Sequence, residues 1–106
     1  MSESGGPVGM DDGGNPAVLR RTLVIVNRRG LHARAAAKFV TLAERFGASV
    51  EVVREGLSVS ARSIMGLMML GAGLGSSIEV VADGWDAKEA LDALSSLVEA
   101  GFNEQD

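Results

Sequence analysis

The sequence predicts a small α+β domain, a four-stranded antiparallel sheet with three helices on one face, in the order β-α-β-β-α-β-α. Three observations carry this prediction. Along the chain the hydrophobic periodicity switches repeatedly between two and 3.6 residues, the signature of alternating strands and helices. Each helical segment has a single apolar stripe, so each needs one surface to lie on. With 106 residues there is material for one core, which alternating strands can share with helices on one side only.

Residues 1–18 hold Gly5, Gly6, Pro7, Gly9, Gly13, Gly14 and Pro16 with little to bury, and are expected to form a disordered tail ahead of a domain spanning 19–106. The β-branched run Thr22 to Val26 reads as the first strand. After Gly30, residues Ala36, Phe39, Val40, Ala43 and Phe46 recur at helical spacing, which predicts a helix from about Ala33 to Phe46 with Gly47 as its left-handed cap. Ser49 to Val53 and Leu57 to Ala61 alternate around Glu55-Gly56, a link short enough for a tight antiparallel hairpin. Ser63 stands at the N-cap position of a short apolar helix, Ile64 to Leu70, which Gly71 and Gly73 end. Ile78, Val80 and Ala82 give the fourth strand. Asp86, with Glu89 three residues later, reads as a capping box. The helix it opens has Ala87, Ala90, Leu91, Leu94, Leu97 and Val98 on one stripe. Trp85 is expected to pack against a helix end. Strand order stays open, because a ferredoxin-like split βαβ arrangement has nearly the same element order.

Composition excludes several functions. No cysteine is present, so there is no disulfide scaffold, thiolate metal site, redox pair or cysteine nucleophile. One histidine without cysteine makes a poor metal site, and neither a metal nor a cofactor is expected. No apolar run approaches membrane-spanning length, and Glu3, Asp11 and Asp12 stand where a secretory signal needs a basic start, so the expectation is a cytoplasmic protein away from membranes. A formal net charge of -4 argues against a nucleic-acid partner. Even so, Arg20, Arg21, Arg28, Arg29, Arg34, Lys38 and Arg45 share one stretch with a single acid, Glu44. That stretch surrounds the only histidine and suits an anion or an acidic protein.

His32 falls between Gly30 and the first helical turn, so its ring belongs at a helix N-terminus. There the N–H groups of Ala33, Arg34 and Ala35 precede the helical hydrogen-bond ladder, and the positive end of the helix dipole favours an anion over an imidazolium. A neutral imidazole is a nucleophile, and a phosphoryl group bonded to it is an anion, so one location serves both states of a phosphoryl carrier. The dipole contributes about 0.3–1 kcal/mol at an exposed site, which tunes exchange without trapping the phosphate. No histidine-carboxylate or serine-histidine pair for a hydrolase is evident in the sequence. Relay of a phosphoryl group is chemistry that a single histidine can perform.

Gly30-Leu31-His32-Ala33-Arg34 resembles the active-site signature of the HPr family, the histidine-containing phosphocarriers of the bacterial phosphotransferase system. A second segment, Arg62-Ser63-Ile64-Met65-Gly66-Leu67-Met68-Met69-Leu70-Gly71, resembles that family's regulatory-serine segment and short second helix. Two motifs at a suitable spacing are more specific than either alone. The resemblance covers about residues 20 to 100. It implies an open-faced β-sandwich, phosphorylation of His32 on Nδ1 by phosphorylated Enzyme I, and transfer onward to Enzyme IIA domains. Phosphoenolpyruvate is then the ultimate donor, Arg34 attends the phosphohistidine, and the protein is a monomer that does not turn over small substrates by itself. Family members in sugar uptake usually have proline after that arginine. Here Ala35 stands in its place, which leaves the carbohydrate and nitrogen-related branches both open.

The segment after Ser63 is apolar nearly all round, although a helix on a sheet buries one stripe. With Leu67 and Leu70 inward, Ile64, Met65 and Met68 face outward as a partner-binding patch, and methionine suits a surface that accepts several partners. The resemblance adds regulatory phosphorylation of Ser63, with an HPr kinase/phosphorylase as a further partner. Phosphate there would put negative charge on the patch and impair docking of Enzyme I. The competing reading is a small α/β regulatory module that binds proteins through the Met-rich helix, with His32 structural.

Overall fold

A computed structural model describes residues 18–104. The expected tail falls outside them except for Val18, which opens the first strand. Strand β1 spans Val18–Val24, helix α1 Ala33–Ala43, β2 Ser49–Arg54 and β3 Leu57–Ser60. Helix α2 follows at Ile64–Met69, then β4 at Ser77–Asp83, α3 at Ala87–Glu99 and a 3-10 turn at Gly101–Asn103.

The sheet runs β1-β4-β2-β3 with every neighbouring pair antiparallel. It is β4, not β3, that occupies the gap between β1 and β2, which selects the open-faced arrangement over the split βαβ alternative. Alternation then decides the faces: Leu23, Val50, Val52, Ile78, Val80 and Ala82 are buried, while Thr22, Val24, Glu51 and Asp83 are exposed. Helix α3 packs on β1 and β4, and α1 packs on α2 and α3. Phe39, Leu67, Leu91, Leu94 and Val98 meet the buried strand residues in one core, closed at the end of the chain by Phe102. At the hairpin, Glu55 and Gly56 both have positive φ, 50° and 84°, the pairing of a primed turn whose twist matches its strands.

Several local expectations need correction. Helix α1 ends at Ala43 with Glu44 as its C-cap, three residues before Phe46. Gly47 has no left-handed backbone. Its amide donates to Asp86 at 2.9 Å, and a Cβ there would meet Trp85 Nε1 at 2.8 Å, a contact that the exposed indole can relieve by shifting, so glycine here makes room for a side chain of another segment and does not stop the helix. Asp86 is no capping box either. It precedes α3, but its buried carboxylate accepts the amides of Gly47 and Ala48 at 2.9 and 2.8 Å and makes no cap bond to its own helix. Trp85 lies over Gly47 but is otherwise in solvent, 87% exposed. On α3, Leu97 is only partly buried, and Ser95 takes a place in the buried stripe because Arg21 Nη1 donates to its hydroxyl at 3.0 Å.

Candidate functional site

The site is assembled where the β1–α1 connection meets the segment that follows α3, residues 102–104. Gly30 sets the entry to α1. Its φ is +66°, and an added Cβ would lie 2.4 Å from the Ala72 carbonyl oxygen, so only glycine lets the β1–α1 loop lie against the loop after α2. Leu31 donates its amide to that same carbonyl at 2.9 Å and buries its side chain. His32 is thereby held at the N-cap of α1 in an extended conformation, φ -73° and ψ 176°.

The two ring nitrogens of His32 have different partners. Nδ1 accepts the backbone N–H of Arg34 at 3.3 Å, a loose bond. Nε2 bonds to Glu104 Oε2, across 72 residues of sequence. A carboxylate accepts only, so this pairing places the proton on Nε2 and leaves the lone pair on Nδ1. The side chain of His32 is 15% exposed, so the ring is neither sealed in the core nor within the helix.

Glu104 is itself held. Asn27 Nδ2 donates to Glu104 Oε1 at 3.0 Å and to the Gly30 carbonyl at 2.9 Å. Lys38 Nζ donates to the Phe102 carbonyl at 2.6 Å, pinning the terminal segment against α1. Burial pushes the Glu104 carboxyl up, but the hydrogen bonds from His32 and Asn27, with the nearby positive charge of Arg29, outweigh it, and its pKa lies below the ordinary glutamate value.

The first backbone bond of α1 runs from the Ala36 amide to the His32 carbonyl, so the amides of Ala33, Arg34 and Ala35 all precede the ladder. Ala33 and Arg34 are exposed, whereas Ala35 buries its methyl group completely. Arg34, Lys38 and Arg45 line an open groove of about 480 Å³ beside the site, together with Thr41, Leu42 and Leu97. Arg20 and Arg21 belong elsewhere: they are on β1, paired with Glu79 at 3.5 Å and Asp92 at 3.0 Å. The basic stretch of sequence is therefore divided between the His32 surface and ordinary surface ion pairs.

Ser63 caps α2, its Oγ accepting the Gly66 amide at 2.8 Å. Leu67 and Leu70 face inward, and Ile64, Met65 and Met68 are exposed as expected. Met69, not singled out in the sequence, joins them at 68% exposure, and the four side chains line a second open pocket of about 480 Å³ that is almost wholly apolar. Among the described residues no group of acids and histidine is placed to hold a metal ion. None of the described helices is long and apolar enough to cross a membrane.

Asn27 and Glu104 are the site residues that sequence reading missed. Both are short of any local signature: an asparagine before two arginines and an acid near the chain end reveal nothing until the fold brings them to the ring.

Comparison with known proteins identifies the family and the fold. Residues 19–100 match the family model described as "PTS HPr component phosphorylation site". The chain is 48% identical over 87 residues to the phosphocarrier protein HPr of Cupriavidus necator, covering 82% of this chain and 98% of that one. It is 45% identical over 86 residues to the phosphocarrier protein NPr of Shewanella violacea, covering 81% and 94%. Among solved structures, HPr-C-His from Thermoanaerobacter tengcongensis superposes with a TM-score of 0.78 at 41% identity, covering 82% of this chain and 98% of that one. These matches, together with the β1-β4-β2-β3 sheet and its helices, establish that the chain belongs to the HPr family of phosphocarrier proteins of the phosphotransferase system.

Proposed function

We propose that His32 is the phosphoryl acceptor of this phosphocarrier, that attack occurs through Nδ1, and that the phosphate comes from phosphorylated Enzyme I and leaves to Enzyme IIA proteins. The observation that carries the reading is the division of the ring: Nε2 is bonded to Glu104, and Nδ1 accepts the Arg34 amide in a loose bond. Attack by Nδ1 needs no general base, because the nitrogen that attacks bears no proton.

As the N–P bond forms, the Arg34 amide exchanges its loose contact with Nδ1 for a bond to a phosphoryl oxygen, and the neighbouring amides of Ala33 and Ala35 are the further candidate donors. The guanidinium of Arg34, on the exposed first turn, supplies mobile positive charge. Such contacts at an open surface bind an anion reversibly, which a relay requires.

The apolar pocket of Ile64, Met65, Met68 and Met69 is the docking patch for these partners, and the basic groove of Arg34, Lys38 and Arg45 meets their acidic residues. Ser63 lies at the edge of the patch, and its phosphorylation is the proposed regulatory step. The protein acts as a cytoplasmic monomer, a domain of residues 19–106 behind an N-terminal tail. The names of its relatives, HPr and NPr, span the carbohydrate and nitrogen-related branches.

Incubation with phosphoenolpyruvate and Enzyme I tests the proposal. An acid-labile phosphoryl adduct is expected on the wild-type chain and absent from His32→Ala. An adduct that survives in His32→Ala would move the reaction elsewhere, and no adduct on either chain would leave the Met-rich binding module as the better account.

A further inference from the structure

We propose that Glu104, held by Asn27, is a positioning residue for phosphoryl exchange: it keeps the His32 proton on Nε2 and balances the positive charge that the ring acquires as Nδ1 bonds to phosphorus. The inference rests on His32 being the acceptor.

The charge follows from the bonding. The Nδ1 lone pair forms the N–P bond while the bond from phosphorus to the nitrogen of the phosphorylated donor breaks, and that electron pair leaves with the donor. The His32 ring enters with one proton, on Nε2, and keeps it. It therefore becomes a phosphoimidazolium carrying one positive charge, and the carboxylate already bonded to Nε2–H faces it. On onward transfer the N–P pair returns to Nδ1 and the ring leaves neutral, its proton still on Nε2. A carboxylate that orients one ring nitrogen and stabilises the cation formed at the other is the role of the aspartate in a catalytic triad.

The fold goes to some length to place this carboxylate. Phe102 and Asn103 have φ of 58° and 59°, a left-handed conformation that a bulky residue adopts only at a cost, and the resulting turn carries the chain from the end of α3 back to His32. Burial of Phe102 and the bond from Lys38 to its carbonyl hold the turn in place. Asn27 is 5% exposed, spends its amide on Glu104 Oε1 and the Gly30 carbonyl, and leaves Oδ1 buried without a partner. A buried polar group kept at that cost calls for a reason, and holding Glu104 supplies one. Among the described residues, the charged groups that these contacts bring to the ring and its neighbours are Glu104 from the segment after α3, Arg29 from the β1–α1 loop, and Arg34 and Lys38 from α1. Glu104 is the only acid among these four, so it is the one group there that favours a cationic ring.

The experiment uses the full chain as substrate for Enzyme I with phosphoenolpyruvate, comparing wild type, Glu104→Gln and Glu104→Asp across the neutral pH range. Glu104→Gln is expected to lower kcat about tenfold with KM nearly unchanged, less than the roughly ten-thousandfold loss when the aspartate of an enclosed catalytic triad is made neutral. Glu104→Asp should recover part of the rate. The 15N resonances of the His32 ring give a second readout: the wild type should show Nε2–H, and Glu104→Gln a shift toward the mixed tautomers of a free imidazole. A Glu104→Gln chain that takes phosphate on His32 at the wild-type rate throughout, with an unchanged tautomer, would overturn the proposal. Absence of phosphate from His32 in the wild type would instead remove the acceptor assignment, and this inference with it.

Discussion

The carboxylate of Asp86 accepts the backbone amide of Ala48 at 2.8 Å, tying the entrance of α3 to the start of β2. Its second oxygen takes the Gly47 amide, so one buried side chain satisfies the two amides by which the chain leaves α1 and enters the sheet. This clasp lies in the segment after the far end of α1 from His32, and it keeps α1 and the sheet in a fixed relation.

Asp86→Ala is expected to destabilise the fold by about 2–4 kcal/mol, since it removes two charge-assisted hydrogen bonds and leaves the buried Ala48 amide without an acceptor. Urea unfolding monitored by circular dichroism measures it. A loss below about 0.5 kcal/mol, the range of ordinary surface changes, would show that the clasp is dispensable.

Glu104 gives stability a pH dependence. Its carboxyl titrates below the ordinary glutamate value in the folded protein, so its bonds to His32 and Asn27 contribute fully above the unfolded value and are lost as pH falls through the lower, folded one. The stability difference between wild type and Glu104→Gln should therefore be present at neutral pH and shrink toward zero in acid. Urea unfolding of both chains through the acidic range checks this, and a difference that grew on acidification would contradict it.

The docking patch should be separable from stability. Met65 is 74% exposed, so Met65→Glu is expected to change stability by no more than about 0.5 kcal/mol. It should nevertheless raise the KM of Enzyme I for this chain. Ser63→Asp should do the same, because aspartate preserves an N-cap while placing negative charge beside Met65. Wild-type KM values in both variants would argue that partners dock elsewhere.

What the sequence made legible follows the range of each signal. Period-two and period-3.6 patterns fall within single elements, so four strands and three helices could be read, as could the tight turn at Glu55-Gly56 and the Ser63 cap, although the first strand runs Val18–Val24 and not Thr22 to Val26. The capping box read at Asp86 is absent, because the carboxylate's partners, Gly47 and Ala48, lie nearly forty residues upstream. Gly47 reads as a helix stop for the same reason: its neighbour, the Trp85 indole, comes from another segment. At the site, Gly30, His32 and Arg34 stand in one short motif and were visible together. Asn27 and Glu104 were not, since the separation of 72 positions between Glu104 and His32 is closed by the left-handed turn at Phe102 and Asn103. Strand order came from the family resemblance and from the folded sheet, because alternation records which face a strand buries and not which neighbour it takes.

The most direct test of the whole account is the site of the N–P bond. Two-dimensional 15N NMR of the chain phosphorylated by Enzyme I and phosphoenolpyruvate, read through the His32 ring, distinguishes the two nitrogens. The account predicts phosphorus on Nδ1 with the proton retained on Nε2. Phosphorus on Nε2, the nitrogen bonded to Glu104, would contradict it.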